Sequence, residues 1–204
     1  MQQRRRGLAA IAIVILSLGL TACSSEADEL ADQYRDGSGK GYITASGVVT
    51  EFPAGERSEP ISFSGPLDIG GTASADEFRG QVLVVNFWYA GCPPCRVEAE
   101  HLEAVYEELG GDDVAFLGVN VRDEAATALS FAEAFQVTYP SILDARDAQA
   151  QLAFAATVPP NAIPTTLVLD REGRIAARIL GMIDSPSILR TIVKDLVAEP
   201  GSGS

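Results

Sequence analysis

Two cysteines that are separated by two prolines, in Cys92-Pro93-Pro94-Cys95, are the residues of this chain best suited to chemistry. Two intervening residues allow both sulfurs to meet across the first turn of a helix, as a disulfide or as a pair of thiols. The positive end of the helix dipole favours the thiolate form of a cysteine at this place. We therefore expect Cys92 to attack a disulfide and Cys95 to resolve the mixed disulfide that results.

The residues around the cysteines predict a buried strand that leads into a helix. Residues 82–89 are rich in β-branched and aromatic side chains, as in a strand that is buried on both faces. Residues 93–109 predict a helix that Gly110-Gly111 ends, with an apolar face formed by Leu102, Val105, Tyr106 and Leu109. Cys92 then lies at the N-cap of this helix, where we expect it to be more exposed than Cys95.

Strand and helix patterns alternate along the chain and end in a hairpin. Further strands are predicted at 114–121, 165–170 and 174–180, an extended piece at 139–144, and helices at 124–135, 147–154 and 186–197. Asp123 is the expected cap of the helix at 124–135, and an earlier hairpin is expected to turn at Gly65-Pro66. The expected fold is therefore α/β, with a mixed central sheet, helices on both faces and an N-terminal β-hairpin extension.

Two motifs that lie far apart in the chain resemble one family. The first motif is Asn86-Phe87-Trp88, followed after three residues by Cys-Pro-Pro-Cys and a helix. It resembles the redox site of thioredoxin-fold proteins, and among these it is most similar to the site of the TlpA/ResA-like thiol-disulfide reductases. The segment that begins Ile163-Pro164-Thr165-Thr166 resembles the cis-proline segment of the same family. The resemblance covers residues 61–198. It implies a thioredoxin-like fold, a protein dithiol or disulfide as substrate, and no cofactor other than the redox-active disulfide Cys92–Cys95.

The resemblance also assigns roles to residues near the cysteines. Glu98 stands where TlpA/ResA-like reductases have an acidic residue that is linked to handling the thiol protons; the alternative is a first-turn glutamate that complements the helix dipole. Asn86 stands where thioredoxin proper has a buried acid, and a neutral amide cannot act as that general base. Ile163-Pro164 is expected to be cis, with the Ile163 backbone pairing with a bound peptide; the alternative is a trans proline at a strand start.

The expected substrate-binding surface also includes Trp88, Pro93 and Pro94. Trp88 is expected to serve mainly in packing, and the alternative is that it lines the rim of the site. Gly91 replaces a tryptophan that many relatives carry before the first cysteine, which opens one wall of the site. Both prolines lack an N–H group, so only the amides of Cys95 and Arg96 are expected to face the Cys92 sulfur. Weaker stabilisation of the thiolate favours the disulfide form and makes the protein a better reductant.

The N-terminal residues predict export and attachment to a membrane. Arg4-Arg5-Arg6 precede the apolar stretch 8–20, which is shorter than the ~20 residues of a membrane-spanning helix. Leu20-Thr21-Ala22-Cys23 resembles a bacterial lipobox, in which the cysteine is acylated and becomes the mature N-terminus. An ordinary cleaved signal and an uncleaved anchor are the alternatives. Each of the three places the rest of the chain outside the cytoplasm, where disulfide chemistry operates.

These observations divide the chain into four segments. A lipoprotein signal peptide is expected at 1–22, and an acylated N-terminus with a flexible tether and an extension at 23–60. The thioredoxin-like domain is expected at 61–198 and a disordered tail at 199–204. Within the extension, Tyr42-Ile43 and Val48-Val49 are candidate short strands that lie on the domain.

Composition and residue counts exclude several classes of function. The formal net charge of −13 argues against binding nucleic acid and against electrostatic adhesion to anionic lipid. A zinc site would need two further ligands near the cysteine pair, and the remaining candidates are Cys23 and His101, which is expected on a helix surface. A copper chaperone of related fold would need a histidine downstream of the pair, and none follows His101. No metal is therefore expected.

The favoured function is a membrane-tethered thiol-disulfide reductase whose dithiol is regenerated by a membrane electron donor, with oxidised apocytochrome c as a candidate substrate. A disulfide-forming oxidase is one alternative, although such proteins usually insert a helical domain between the redox helix and the cis-proline. A thiol peroxidase of the alkyl-hydroperoxide-reductase type is another, and it would carry Pro-x-x-x-Thr-x-x-Cys around the reactive cysteine. Nothing of that form surrounds Cys92.

Overall fold

The computed structural model describes residues 41–43, 47–159 and 162–200. The described strands are β1 (Gly41–Ile43), β2 (Gly47–Glu51), β3 (Ser64–Pro66), β4 (Thr72–Ser74), β5 (Val82–Trp88), β6 (Val114–Asn120), β7 (Ser141–Leu143), β8 (Thr165–Leu169) and β9 (Ile175–Gly181). The described α-helices are α1 (Pro93–Leu109), α2 (Ala125–Phe135), α3 (Gln149–Ala153) and α4 (Pro186–Ala198). Short 3-10 turns lie at Ala54–Glu56 and Ala75–Phe78.

Seven strands form one mixed sheet in the order β1-β2-β9-β8-β5-β6-β7. β5, β6 and β7 run parallel to one another, whereas β5 pairs with β8, β8 with β9, and β9 with β2 in antiparallel fashion. This arrangement confirms the predicted mixed sheet, with the parallel half built from strand–helix alternation and the antiparallel half from the closing hairpin. β5 lies near the middle of the sheet and is buried over its whole length.

Alternate residues of β5 face two separate cores. Val82 and Val84 belong to a cluster that also contains residues of α1 and α4, including Leu102 and Leu189. Leu83, Val85 and Phe87 belong to a second cluster on the other face, which also contains Ala150 of α3. Because successive strand residues point to opposite faces, Asn86 and Trp88 lie on the face that α1 covers. Helices on both faces of the sheet are therefore confirmed.

The early hairpin differs from its prediction, because Gly65-Pro66 is not its turn. Gly65 and Pro66 lie in β3 and pair with Ala73 and Thr72 of β4. The turn falls at the following glycines, Gly70 (φ 89°) and Gly71 (φ 84°), which adopt the left-handed conformation that a residue with a side chain rarely accepts. Gly65 instead packs on Ile142, where an added Cβ would lie 2.4 Å from a side-chain atom.

Residues on both sides of the expected domain take part in the fold. β1 and β2 add two strands to the central sheet, since β2 pairs with β9 over its whole length. The buried guanidinium of Arg57 binds Asp170 at 3.1 Å and Glu199 at 2.6 Å, which joins the N-terminal extension to the final residues. The expected signal peptide, Cys23 and the tether lie outside the described residues. Among the helices that are described, none is long and apolar enough to cross a bilayer.

Candidate active site

Cys92 and Cys95 form a disulfide at the start of α1, with their Cα atoms 5.3 Å apart. Cys92 is the N-cap residue, and its sulfur accepts a hydrogen bond of 3.2 Å from the Cys95 amide. The predicted second donor is wrong, because the Arg96 amide bonds to the Cys92 carbonyl oxygen at 3.3 Å instead. Of the described residues, a single backbone amide therefore faces the sulfur that we expect to be the nucleophile.

Both cysteines are buried in this oxidised form, with exposed fractions of 1% for Cys92 and 2% for Cys95. The expectation that Cys92 is the more exposed of the two is therefore wrong. The cause is the packing around the helix N-terminus, where the half-buried residues Tyr89, Ala90 and Ile163 contact the cluster that contains both sulfurs. The chain before Cys92 also folds back on itself, since the Cys92 amide donates to the Tyr89 carbonyl at 3.1 Å.

The peptide bond between Ile163 and Pro164 is cis, as the sequence predicted. Pro164 is buried at the start of β8, and Ile163 packs against the cysteine cluster. The cysteine pair and the cis-proline segment, which are far apart in the chain, are thus neighbours in the structure. Among the described residues, none forms a hydrogen bond with the backbone N–H or C=O group of Ile163.

Glu98 is fully buried in α1 behind the cysteine pair. Its carboxylate accepts a hydrogen bond of 2.8 Å from the Asn86 side-chain amide and one of 3.0 Å from the Ile183 backbone amide. Burial raises the pKa of Glu98 to about 7, against the lowering effect of these two hydrogen bonds. The interpretation of Glu98 as a first-turn residue that complements the helix dipole is therefore wrong, since it is the sixth residue of α1 and points into the core.

Asn86 connects Glu98 to the central sheet. Its side-chain amide also donates to the Thr166 hydroxyl at 3.1 Å, and Thr166 is its register partner on β8. The buried acid of this site is therefore carried by the helix, and the strand supplies a neutral amide that binds it. The sequence identified both residues but did not predict their contact. The alternating side-chain directions along β5 and the helical spacing of α1 are the patterns from which the contact could have been predicted.

The remaining residues of the expected substrate surface lie at different depths. Trp88 is buried, with its ring centroid 4.3 Å from that of Phe131 and its indole N–H bonded to the Ser141 hydroxyl at 3.2 Å. Pro93 is exposed and Pro94 is half-buried. Gly91 is exposed, and a Cβ there would make an ordinary contact of 3.5 Å with the Tyr89 ring. Trp88 thus supports the cysteine cluster from inside, and the prolines and Gly91 lie closer to solvent.

The loop that follows β6 holds the residues before Cys92 in place, a role that the sequence does not predict. Asp123 accepts hydrogen bonds from the Ala90 amide at 2.6 Å and from the Asn120 side chain at 2.9 Å. The predicted role of Asp123 as a helix cap is therefore wrong: Glu124 is the N-cap residue of α2, without a side-chain cap bond. An aspartate before a helix signals a cap in the sequence, and only the fold shows that a distant amide competes for it.

We expect Asp123→Ala to lower the free energy of unfolding by about 1–3 kcal/mol. The substitution leaves the amide of half-buried Ala90 and the side chain of buried Asn120 without their charged acceptor. Urea denaturation of the oxidised protein measures this change. Asp195→Ala is a matched control, since Asp195 is an exposed residue of α4 whose side chain has no hydrogen bond or ion pair among the described residues. Equal stability of the two variants would contradict the anchoring role of Asp123.

Comparison with known proteins agrees with this geometry. The profile of the Redoxin family matches residues 52–193. The thiol-disulfide oxidoreductase ResA of Geobacillus kaustophilus is 32% identical over 114 residues, which cover 56% of this chain and 63% of that protein. The thiol:disulfide interchange protein HelX of Rhodobacter capsulatus is 30% identical over 142 residues, which cover 70% of this chain and 73% of HelX.

A solved structure shares both the fold and part of the sequence. The crystal structure of a secreted thiol-disulfide isomerase from Corynebacterium glutamicum is similar with a TM-score of 0.67 and 30% identity, over 79% of this chain and 100% of that chain. The match to ResA, by contrast, spans less than two thirds of the length of that protein. A family profile that covers most of the chain, together with the cysteine pair and the cis-proline, shows that the chain belongs to the Redoxin family and is a TlpA/ResA-like protein of thioredoxin fold.

Proposed function

We propose that this protein is an extracytoplasmic thiol-disulfide oxidoreductase that reduces disulfides of protein substrates through Cys92 and Cys95. The observation that carries the proposal is the disulfide at the N-terminus of α1, packed against the cis-proline segment. The names of the relatives, a thiol-disulfide oxidoreductase and a thiol:disulfide interchange protein, support the same class of reaction.

The reaction starts from the reduced protein. The Cys92 thiolate attacks one sulfur of the substrate disulfide, forms a mixed disulfide and releases the other substrate sulfur as a thiolate, which takes up a proton. Cys95 then loses its proton and attacks the Cys92 sulfur, which re-forms the Cys92–Cys95 disulfide and releases the second substrate thiol. Two electrons and two protons pass to the substrate. Because Glu98 is one helical turn beyond Cys95 and has a pKa of about 7, we assign it the uptake of the Cys95 proton.

Ile163 is the proposed docking point for the substrate backbone. Its N–H and C=O groups have no hydrogen-bond partner among the described residues, and it packs against the cysteine cluster. An extended substrate segment that pairs with these groups would be held beside Cys92 in the manner of an added strand. The pairing is independent of substrate sequence, which suits an enzyme that acts on a disulfide within a polypeptide.

We propose the direction of reduction because one backbone amide of the described residues, and not two, donates to the Cys92 sulfur in the disulfide, and we expect the same single donor to face the Cys92 thiolate after reduction. A less stabilised thiolate form shifts the couple toward the disulfide and lowers the reduction potential. We therefore expect the reduction potential of the Cys92–Cys95 couple to be close to that of thioredoxin, ~−270 mV. Equilibration with a dithiol buffer measures this potential. A value near the about −120 mV of a strong oxidant would instead assign the disulfide-forming alternative.

The proposed location is the outer face of the cell membrane, to which acylated Cys23 would attach the protein. The lipobox-like residues Leu20-Thr21-Ala22-Cys23 carry this part of the proposal. The proposed substrate is the oxidised Cys-x-x-Cys-His segment of apocytochrome c, and a membrane protein would return the dithiol to the reduced state. Reduction of an oxidised peptide of that sequence tests the substrate, and mass measurement of the membrane-extracted protein tests the acyl group. Consumption of a hydroperoxide in preference to the peptide would favour the peroxidase alternative.

A further inference from the structure

Most of the arginine and lysine side chains of the described residues form an ion pair with an acidic side chain. The basic residues that form ion pairs within 4.0 Å are Arg57, Arg79, Arg146, Arg171, Arg174, Arg190 and Lys194. Among the described residues, Arg96, Arg122 and Arg178 have no such pair. Arg178 is half-buried in β9 and donates to the Thr157 carbonyl at 3.0 Å. Arg96 and Arg122 are exposed, and both lie beside the active site.

Arg96 and Arg122 contact neighbouring residues of the same loop, the one that leads into Cys92. The Arg96 Nε atom donates to the Ala90 carbonyl at 2.9 Å. The guanidinium carbon of Arg122 lies 4.0 Å from the centroid of the Tyr89 ring. Each guanidinium is thus held by the loop while most of its N–H groups have no acceptor among the described residues. Because the two side chains are already positioned, binding an anion orders them less than it would order free arginines.

Among the described residues, the acidic residues near Arg96 and Arg122 form no ion pair with either of them. The Asp123 carboxylate is engaged by the Ala90 amide and the Asn120 side chain, and Glu124 pairs with Arg146 at 2.8 Å. Glu100 follows Arg96 by one turn of α1, but it forms no ion pair with it. Among the described residues, Arg96 and Arg122 are therefore cations without an ion-pair partner at the rim of the cysteine site, on a chain whose formal net charge is −13.

We propose that Arg96 and Arg122 bind carboxylate side chains that lie beside the reacting cysteine of a polypeptide substrate. The inference deepens the proposed function, because it names the kind of segment that the same site prefers. Guanidinium groups bind carboxylates through paired hydrogen bonds, and an acidic segment is repelled by most other parts of this acidic surface. The two arginines thus select acidic flanks and place the substrate disulfide over Cys92.

The test compares oxidised peptides that share one Cys-x-x-Cys core and carry aspartate, asparagine or lysine flanks. We expect the reduced protein to act on the acidic peptide with a kcat/KM about fivefold above that for the neutral peptide, a preference that falls as salt is added. Arg96→Gln and Arg122→Gln should each reduce this ratio, and the double variant should abolish it. The double variant Arg190→Gln/Lys194→Gln removes the same charge from α4, away from the active-site loop, and should keep the ratio.

The outcomes separate the preference from the proposed function. Equal rates with all three peptides would overturn the carboxylate site and leave the reductase function in place. A loss of preference in the Arg190/Lys194 control as well would also overturn it, since net charge would then be the cause. No reduction of any peptide would overturn both. Oxidised glutathione serves as a fourth substrate. If the arginine variants lose rate with oxidised glutathione but with none of the peptides, the site takes small anionic disulfides and the assignment to polypeptides is wrong.

Discussion

Replacing Cys92 with serine is expected to reduce disulfide exchange to the uncatalysed rate, whereas Cys95→Ser should accumulate a mixed disulfide with the substrate. In the disulfide form, an amide of the described residues donates to the Cys92 sulfur at the helix N-cap and none donates to the Cys95 sulfur, so we expect Cys92 to be the better stabilised thiolate after reduction. A serine hydroxyl is not ionised at neutral pH and does not replace it. Without Cys95, the first step proceeds but nothing resolves the mixed disulfide.

Turnover of an oxidised peptide measures the first effect, and the mass of the non-reduced protein measures the second. Cys23→Ser is the matched control, because it removes the third cysteine and leaves the pair intact. In solution this variant should retain exchange. Full activity in Cys92→Ser, or a mixed disulfide trapped on Cys92→Ser and not on Cys95→Ser, would contradict the assigned order of attack.

Glu98→Gln is expected to remove a component of the pH dependence of stability. The pKa of Glu98 is raised from 4.5 to about 7 by burial, so the folded protein binds a proton that the unfolded chain has already released in this range. The stabilisation is fully present below about pH 4.5 and is lost as the pH rises to about 7. A shift of this size corresponds to ~3 kcal/mol in the free energy of unfolding.

Urea denaturation between pH 4 and pH 8 therefore should show the wild-type protein losing ~3 kcal/mol relative to Glu98→Gln. Glutamine fits the site because the Asn86 side chain, which donates to Glu98 at 2.8 Å, can turn and offer its oxygen instead. Glu103→Gln is the matched control, since Glu103 is a second buried glutamate of α1 and bonds to the Thr138 amide at 2.9 Å. If both variants lose the same pH dependence, or neither does, Glu98 is not its source. The rate of exchange gives a second readout: a step near pH 7 should disappear in Glu98→Gln alone.

Local patterns predicted the parts of the site that neighbouring residues determine. Residues 93–109 were predicted as a helix and form one, because its apolar face and its prolines lie within the segment and the glycines that end it follow directly. The Ile163–Pro164 bond was likewise predicted from the motif that surrounds it and is cis. In these cases the information needed was contained in a few consecutive residues.

Several of the predictions that were wrong concern contacts between distant residues. The sequence around Asp123 predicts a helix cap, but the fold places the Ala90 amide, 33 residues earlier, beside its carboxylate. Glu98 allowed two interpretations, and the decisive contact is with the Ile183 amide, 85 residues later in the chain. The burial of Cys92 depends in the same way on Ile163. Helical spacing gives the direction of a side chain on its own helix but not what the rest of the fold packs against it.

The burial of the Cys92–Cys95 disulfide has a consequence for its exchange with small molecules. With Cys92 only 1% exposed and Tyr89, Ala90 and Ile163 packed around the pair, stray small thiols and disulfides meet few open approaches to the sulfurs. A partner that docks on the rim gains contacts that a passing molecule lacks. The fold thus limits exchange between the buried disulfide and small molecules, and it favours partners large enough to dock on the rim.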